Sequence, residues 1–274
     1  MKKLSTWVRY LLITLICLLC ISPFVVLLII SLNTPQSNMY EGNVLIPDFY
    51  FGNYAEGWAK SHIDLAMINS GIITLVALVL IVFLGAMAGY AIARVTTKFN
   101  KTVFTIMLCC MMIPGIINTV PLYTLMIRIK AINTLWGMAC VCATLALPQA
   151  VFVFTGFIKA VPRELEEAAV IDGCSHFQAF WRVIFPLLKP SISAVVVLNG
   201  FGIWNNYSQA VFFLQSSSKH NVPQALSVYF QQFAGAKWNL MAATAVIAIV
   251  PVVAMFLIFQ KSLMKGLTDG AIKG

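Results

Sequence analysis

Six long stretches without Asp, Glu, Lys or Arg constrain the fold of this chain more than any other feature. They cover residues 10–32, 65–93, 102–127, 131–158, 190–218 and 238–260. Each is long enough to cross a bilayer, because about 20 apolar helical residues span the hydrocarbon core. Only 10% of the residues are charged, against about 25% in a typical soluble domain. The sequence therefore predicts an all-α, polytopic membrane protein with six transmembrane helices, the first retained rather than cleaved as a signal peptide.

The distribution of basic residues predicts the orientation of these helices. If the N-terminus lies inside and there are six spans, the inner segments hold 13 of the 18 Lys and Arg residues and the outer segments hold five. Basic residues favour the cytoplasmic side, so both termini are expected there. The short outer connection with Arg128 and Lys130 is the one local exception. This topology explains the net charge of +9 without any nucleic-acid partner.

Local features of the apolar stretches predict how they pack. Gly85 and Gly89 form a small-xxx-small pattern, which favours close approach of two helices. Several stretches contain proline, Pro114 among them, and each proline either kinks a helix for packing or breaks it to line a cavity. The outer connection 33–64 is rich in Gly, Pro and aromatic residues, so we expect an ordered loop or a short interfacial helix there.

Several functional classes lack the residues that they need. The chain has no G-x-x-x-x-G-K-[ST] phosphate loop, and its apolar stretches hold no paired Asp, Ser/His set or zinc motif. They hold no ionisable acid or base either, which disfavours a proton-coupled pump or a voltage sensor. Six of the seven cysteines lie inside the stretches with no histidine at ligand spacing. We therefore expect a protein that is not an enzyme and that binds no metal or cofactor itself.

Neutral polar and aromatic side chains are concentrated in the third and fifth stretches. Such groups either join helices by hydrogen bonds, the role expected for Asn199, or line a water-accessible path for an uncharged, hydroxyl-rich solute. The candidate pathway residues are Asn118, Tyr123, Trp204, Asn205, Asn206, Tyr207 and Gln209.

The connection between the fourth and fifth stretches, residues 161–190, is specified in unusual detail. Pro162 and three acids in the following turn suit the start of a helix over 163–172. Gly173 can adopt the left-handed conformation that ends it. Ser175 and Gln178 then form a capping-box pattern for a second helix, expected to stop before Pro186. A rigid helix at the cytoplasmic surface indicates a docking element for another protein.

These residues resemble the EAA motif of bacterial ABC importer permeases. Glu167-Ala168-Ala169 is followed at the family spacing by Gly173 and, with Val183-Ile184-Phe185 in place of the usual I-x-L, by Pro186. The resemblance implies that this loop seats in a cleft of a cytoplasmic ATPase subunit. The residues implied in that coupling are Glu164, Glu166, Glu167, Ala168, Ala169, Asp172, Gly173 and Pro186.

Other segments resemble the carbohydrate-uptake branch of these permeases, similar to the smaller membrane subunit of the maltose transporter. They include Pro121-Leu122-Tyr123, Trp204-Asn205 and the ending G-L-T-D-G-A-I-K-G over residues 266–274. In relatives this tail reaches the ATPase dimer interface. The resemblance implies the same contact for Gly266, Leu267, Thr268, Gly270, Lys273 and Gly274.

The resemblance implies a type I ABC importer permease fold and a multi-subunit assembly in the bacterial cytoplasmic membrane. Its partners would be a second related permease, two ABC ATPase subunits that use ATP and Mg²⁺, and an extracytoplasmic solute-binding protein. The expected division is an N-terminal tail, first helix and outer loop (1–64), a transmembrane domain (65–262) and a cytoplasmic tail (263–274). The solute is expected to be a sugar or oligosaccharide. A polyol or glycerol-phosphate-like solute, and a stand-alone carrier or channel, remain alternatives.

Overall fold

The computed structural model describes residues 2–34, 46–230 and 237–271, which are mostly helical and contain no β-strand. The first seven α-helices are α1 (Lys2–Ser31), α2 (Gly52–Ser61), α3 (Ile63–Arg94), α4 (Lys98–Met111), α5 (Thr119–Arg128), α6 (Leu135–Ala160) and α7 (Glu164–Ile171). The remaining six are α8 (His176–Ala179), α9 (Phe185–Leu187), α10 (Lys189–Trp204), α11 (Ala210–Phe213), α12 (Val222–Ser227) and α13 (Trp238–Ala271).

Four described helices are long and apolar enough to cross a membrane unaided, namely α1, α3, α6 and α13. Two more candidates are bent pairs: α4 with Gly115–Arg128, and His176–Leu187 with α10. The described chain therefore has four spans by length and composition, or up to six if each bent pair counts as one. It is a helical protein of the multi-pass membrane type.

The third apolar stretch is not one continuous helix, contrary to the sequence prediction for 102–127. After α4 ends, a 3₁₀ turn over Gly115–Asn118 leads into α5, and the chain bends by 104°. Pro114 lies at the break with extended backbone angles (φ −56°, ψ 128°). Proline has no N–H to continue the helical hydrogen bonds. Of the two effects expected for Pro114, a kink or a break, the structure has a break.

The fifth apolar stretch is also shorter as a helix than predicted, since α10 ends at Trp204 rather than near Ser218. The side chain of Asn205 donates to the carbonyl of Phe201 (3.1 Å), and the Asn206 side chain accepts from the backbone N–H of Gln209 (3.0 Å). Asparagine side chains compete for backbone groups in this way, which favours helix ends over helix interiors. Apolarity alone therefore overestimated the length of this helix.

The chain divides into two compact units, of which the first comprises Met1–Asp64 and Ala225–Val250. Asn53 of α2 is fully buried there, donating to the carbonyls of Ser31 (2.9 Å) and Asn33 (2.8 Å) and accepting from Asn239 (2.8 Å). The backbone N–H and the hydroxyl of Thr34 both donate to Asp48, which lowers the pKa of the Asp48 carboxyl. Of the two alternatives expected for the outer connection, an ordered loop or a short interfacial helix, its described part contains a short helix, α2.

Helix α1 is exposed along nearly its whole length in this unit. Its most hydrophobic window is not buried at all against the described chain. We expect lipid or another protein to cover this helix, because exposing so much apolar surface to water is energetically unfavourable.

The second unit comprises Leu65–Gln224 and Pro251–Gly274. Helix α6 lies at its centre and contacts both α4 and α10. Its buried face, which includes Met138, Val141, Phe154 and Ile158, belongs to one continuous apolar core. Thr134 caps its N-terminus by accepting the backbone N–H of Gly137 (3.1 Å).

The small-xxx-small pattern of α3 forms the close helix contact that it predicted, and its partner is α6. A Cβ atom placed on Gly89 would stand 2.9 Å from Cβ of Phe154 and 3.1 Å from the backbone nitrogen of Thr155. One on Gly85 would stand 3.1 Å from Cβ of Ala150. The two glycines therefore allow the α3 and α6 backbones to approach more closely than any larger residue would permit.

Candidate functional site

The connection between α6 and α10 forms a short helix, a tight turn and a second helical segment, as the sequence predicted. The acids Glu164, Glu166 and Glu167 occupy the first turn of α7, where negative charge is favoured by the helix dipole. Gly173 follows at φ +89°, a conformation that side chains disfavour. The backbone N–H groups of Gly173 and Cys174 bond to the carbonyls of Val170 and Ala169 and close the turn.

The second segment begins with the predicted capping box. The backbone N–H of Gln178 donates to the Ser175 hydroxyl (3.3 Å), and the backbone N–H of Ser175 donates to the Gln178 side chain (2.9 Å). A π-helical stretch follows over Phe180–Ile184 and then α9, so the helical segment passes through Pro186 instead of stopping before it. Pro186 is the second residue of α9 and lies within this continuous segment. The direction change comes two residues later, with a 70° bend into α10.

One face of this loop is open to solvent, and it carries both charge and apolar surface. Glu164, Glu167, Ala168, Asp172 and Pro186 are all exposed. Of the apolar residues Leu165, Ala168, Ala169 and Ile171 in this helix, only Ala169 is buried, and Ile171 is 85% exposed. Exposed aliphatic side chains beside carboxylates form a surface suited to contact with another protein.

Glu166 differs from its acidic neighbours because its carboxylate points into the chain. Arg94, the last residue of α3, donates from Nε to Glu166 Oε2 (2.9 Å), and the Tyr90 hydroxyl bonds to the other carboxylate oxygen. The side chains of Arg94 and Glu166 are only 8% and 12% exposed. Of the implied coupling residues, Glu166 is therefore the one that holds the loop to α3 from behind.

A cavity of about 620 Å³ lies beside this ion pair, between α7 and the end of α3. Its walls include Arg163 just before α7, Glu167, Val170 and Ile171 of α7, and His176 at the start of α8. The loop thus offers a concave surface in addition to the exposed face of the helix.

The second candidate region is the polar segment after α10, which packs onto the break after α4. Gln209 is 97% buried: its side chain accepts from the hydroxyl of Thr119 (3.2 Å) and donates to the carbonyl of Gly115 (3.2 Å). Asn206 contacts the thiol of Cys142 on α6 (3.7 Å) and, through its carbonyl, accepts from Asn221 (2.7 Å). The two helix breaks are therefore joined by hydrogen bonds through Gln209.

The predicted pathway residues occupy different environments around these breaks. Trp204 is buried at the end of α10, whereas Asn205 and Tyr207 are exposed. Tyr123 packs edge-on to Phe213 and its hydroxyl accepts from Gln215 (3.0 Å). Asn118 is half-buried where the 3₁₀ turn meets α5. Buried Asn199, expected to join two helices, donates instead to Val195 in its own helix (2.9 Å).

The sequence did not single out Tyr90, Arg94 or Cys142 as functional residues. Arg94 counted only as one of many cytoplasmic charges. The sequence did contain a hint of this pair. Arg94 and Glu166 have opposite charges, and both belong to segments expected on the cytoplasmic side of a chain with few charges. Tyr90 and Arg94 are four residues apart and hence on one helix face.

The C-terminal residues with an implied ATPase contact fall partly within the described chain. Gly266, Leu267, Thr268 and Gly270 continue α13 as a helix to Ala271. Lys273 and Gly274 lie outside the described residues.

Comparison with known proteins defines the class. Residues 81–269 match the family "Binding-protein-dependent transport system inner membrane component". The chain belongs to this family of transport permeases.

Particular relatives of the chain are transport permeases. The chain is 36% identical over 255 residues to the melibiose/raffinose/stachyose import permease MelC of Bacillus subtilis, covering 92% of this chain and 91% of the relative. It is 30% identical to AmyC of Thermoanaerobacterium thermosulfurigenes, a probable permease for starch degradation products, covering 93% of each.

Among solved structures, a chain of a bacterial ABC transporter that imports the acidic polysaccharide alginate has the same fold. The TM-score is 0.79 at 19% identity, covering 96% of this chain and 97% of that one.

Proposed function

We propose that this chain is a membrane-spanning permease subunit of an ATP-driven importer for a sugar or oligosaccharide in the bacterial cytoplasmic membrane. The observation that carries the proposal is the loop after α6. It presents a capped helix with an exposed carboxylate, Glu167, and an exposed aliphatic side chain, Ile171, while Arg94 and Tyr90 hold it from behind. Such a surface suits seating in a cytoplasmic ATPase.

The proposed topology has six spans with both termini in the cytoplasm. In it each bent pair crosses the membrane once. Helix α10 rises about 24 Å over its 16 residues, at about 1.5 Å per residue. Its break at Asn205 would then lie in the outer part of a core about 30 Å thick. Polar backbone at that depth is tolerated where it is buried in protein or lines a water-filled path.

The proposed assembly contains a second related permease, two ABC ATPase subunits and an extracytoplasmic binding protein. ATP and Mg²⁺ would act in the ATPase subunits, and this chain would hold no cofactor. Exposed Asn205 and Tyr207 would face a pathway shared with the second permease. A structure with this fold was solved with an alginate-bound periplasmic protein, which is consistent with such a partner.

The proposed substrate class rests on the relatives named above and on the neutral chemistry of the polar break. Amide and phenol groups can hydrogen-bond sugar hydroxyls, and aromatic faces can stack on sugar rings. The hydrogen bonds that Gln209 and Tyr123 make around the break join neutral amide, hydroxyl and carbonyl groups. A polyol fits the same chemistry, whereas a glycerol-phosphate-like solute would need a cation beside these groups.

The first test combines purification with uptake. The tagged chain, purified in mild detergent from its own host, should retain a P-loop ATPase. Vesicles containing that complex, its binding protein and ATP should take up radiolabelled raffinose or maltotriose in preference to sorbitol and glycerol 3-phosphate. Uptake by the lone chain in liposomes, with no ATPase retained, would instead establish a stand-alone carrier.

Glu167→Lys tests the coupling surface within that complex. Reversing an exposed charge at the proposed contact should abolish uptake and reduce ATPase retention. The lysine would either repel a cation of the ATPase or stay unpaired in the contact. The protein level in the membrane should not change. Lys101→Glu, a reversal of an exposed charge at the start of α4, is the matched control and should transport normally. Normal uptake by Glu167→Lys would count against the coupling role.

A further inference from the structure

The ion pair between α3 and the loop connects more of the chain than the two helices that the loop joins in sequence. Arg94 also donates from Nη2 to the carbonyl of Val161 (3.1 Å), the residue directly after α6. Tyr90 packs against Phe180 of the π-helical stretch, with ring centroids 4.9 Å apart. Glu166 is thus held at a point where α3, the end of α6 and both halves of the loop meet.

This arrangement is too buried to be an incidental surface pair. The side chains of Arg94 and Glu166 are about nine-tenths inaccessible, and Phe180 is only 2% exposed. Solvent-exposed ion pairs contribute little to stability and rearrange freely. Removing one partner of a buried pair, by contrast, leaves the other charge desolvated and unpaired, which is strongly destabilising. Movement of α7 away from α3 would therefore require the ion pair to break.

Helix α3 is also joined to the bundle closer to its middle. Gly85 and Gly89 bring its backbone against α6 at Phe154 and Thr155. A displacement received at Arg94 consequently reaches α6 and the core around it without passing through the loop.

We propose that Tyr90, Arg94 and Glu166 form a positioning clamp that makes the cytoplasmic end of α3 move together with α7 during the transport cycle. This inference rests on the proposed importer function. The loop is connected in sequence only to α6 and α10. Through the clamp, its movement would also reach α3. Glu166 is accordingly a positioning residue that acts through Arg94, while Glu167 faces the partner.

The test is a charge exchange, measured on the whole importer in vesicles with radiolabelled raffinose. The variants are Arg94→Glu, Glu166→Arg and the double variant that carries both. Each single reversal places two like charges in a desolvated site, so raffinose uptake should fall at least about tenfold. The double variant restores opposite charges and should recover uptake to within about threefold of the original, as coupled residues do.

The decisive readout is the number of ATP molecules hydrolysed per raffinose imported. If the clamp transmits movement, the single variants retain the ATPase and hydrolyse ATP while importing little sugar, so this ratio rises. A residue with only a structural role would lower hydrolysis and import together. Tyr90→Phe, which removes one hydroxyl and keeps the ring contact with Phe180, should raise the same ratio by a smaller factor.

The exposed ion pair of α2 supplies the control. Lys60 pairs with Glu56 four residues earlier, and both side chains are well exposed. Its single reversals should leave uptake and the ATP-to-sugar ratio unchanged. Unchanged uptake in the single Arg94 and Glu166 variants would overturn the clamp, as would a double variant that does not recover. Failure of the original protein to retain an ATPase would instead overturn the proposed function.

Discussion

At the scale of single residues, neighbours in sequence take opposite roles. Glu166 and Glu167 are adjacent and chemically identical, yet one is paired inside the chain and the other is exposed. The reason is helical geometry: consecutive residues lie about 100° apart around a helix axis, so they face different surroundings. Composition marked both as scarce acids, and only the packing of α7 against α3 separates them.

Gly89 gives the sharpest prediction about a single residue and stability. Gly89→Ala should lower the free energy of unfolding by about 1–3 kcal/mol, because its Cβ would overlap Phe154 and press on the α6 backbone. Gly71→Ala on the same helix is the matched control, since nothing lies within 4 Å of its added Cβ. Both changes carry the same gain in helix propensity.

The measurement for this pair is reversible unfolding in mild detergent titrated with a denaturing one. Equal stability of the two alanine variants would show that α3 and α6 do not approach as closely as described.

At the scale of elements, the loop after α6 depends on one backbone conformation. Gly173 has φ +89° and open space around it, so a side chain there would be opposed by backbone strain and not by a clash. Left-handed conformations cost an ordinary residue about 1–2 kcal/mol, and least for asparagine. The orientation of α7 relative to the second segment should therefore follow the residue at this position.

A graded series tests that dependence. Raffinose uptake should decrease in the order Gly173, Gly173→Asn, Gly173→Val, with the valine variant at least about tenfold below the original because β-branching opposes positive φ. ATPase retention should fall in the same order. An asparagine variant that is as inactive as the valine variant would show that φ is not the determinant.

The breaks in the third and fifth stretches show how far element boundaries can be predicted. Pro114 supplied a signal for the first break, and the sequence named a kink or break among its outcomes. The second break had a weaker signal, since Asn205 and Asn206 were identified as polar residues of a span. Their bonds to nearby backbone groups end α10, a local competition that hydropathy does not register.

At the scale of the whole molecule, the two bent pairs determine the number of spans. If each pair crosses the membrane once, residue 130 lies outside and residue 173 inside. If each is re-entrant, these two positions exchange sides. Alkaline phosphatase, which is active only after export, should therefore be active when fused after residue 130 and inactive when fused after residue 173. A fluorescent protein fused to the C-terminus should fluoresce, as expected for a cytoplasmic C-terminus.

Activity of the phosphatase after residue 173 would exclude the six-span topology and with it a cytoplasmic coupling loop. A fusion after residue 60, outside in either case, is the control for export.

From the sequence alone we could predict the helical membrane class, the capped helix-turn-helix loop, a close helix contact at Gly85 and Gly89 and, through its motifs, the family. Each of these depends on residues close together in the chain, whose chemistry can be read directly. Two contacts could be identified only in the folded structure: the pair between Glu166 and Arg94, and the link between the two helix breaks through Gln209. Those contacts join positions about 70 to 90 residues apart, and packing in three dimensions selects among partners that the sequence leaves equivalent.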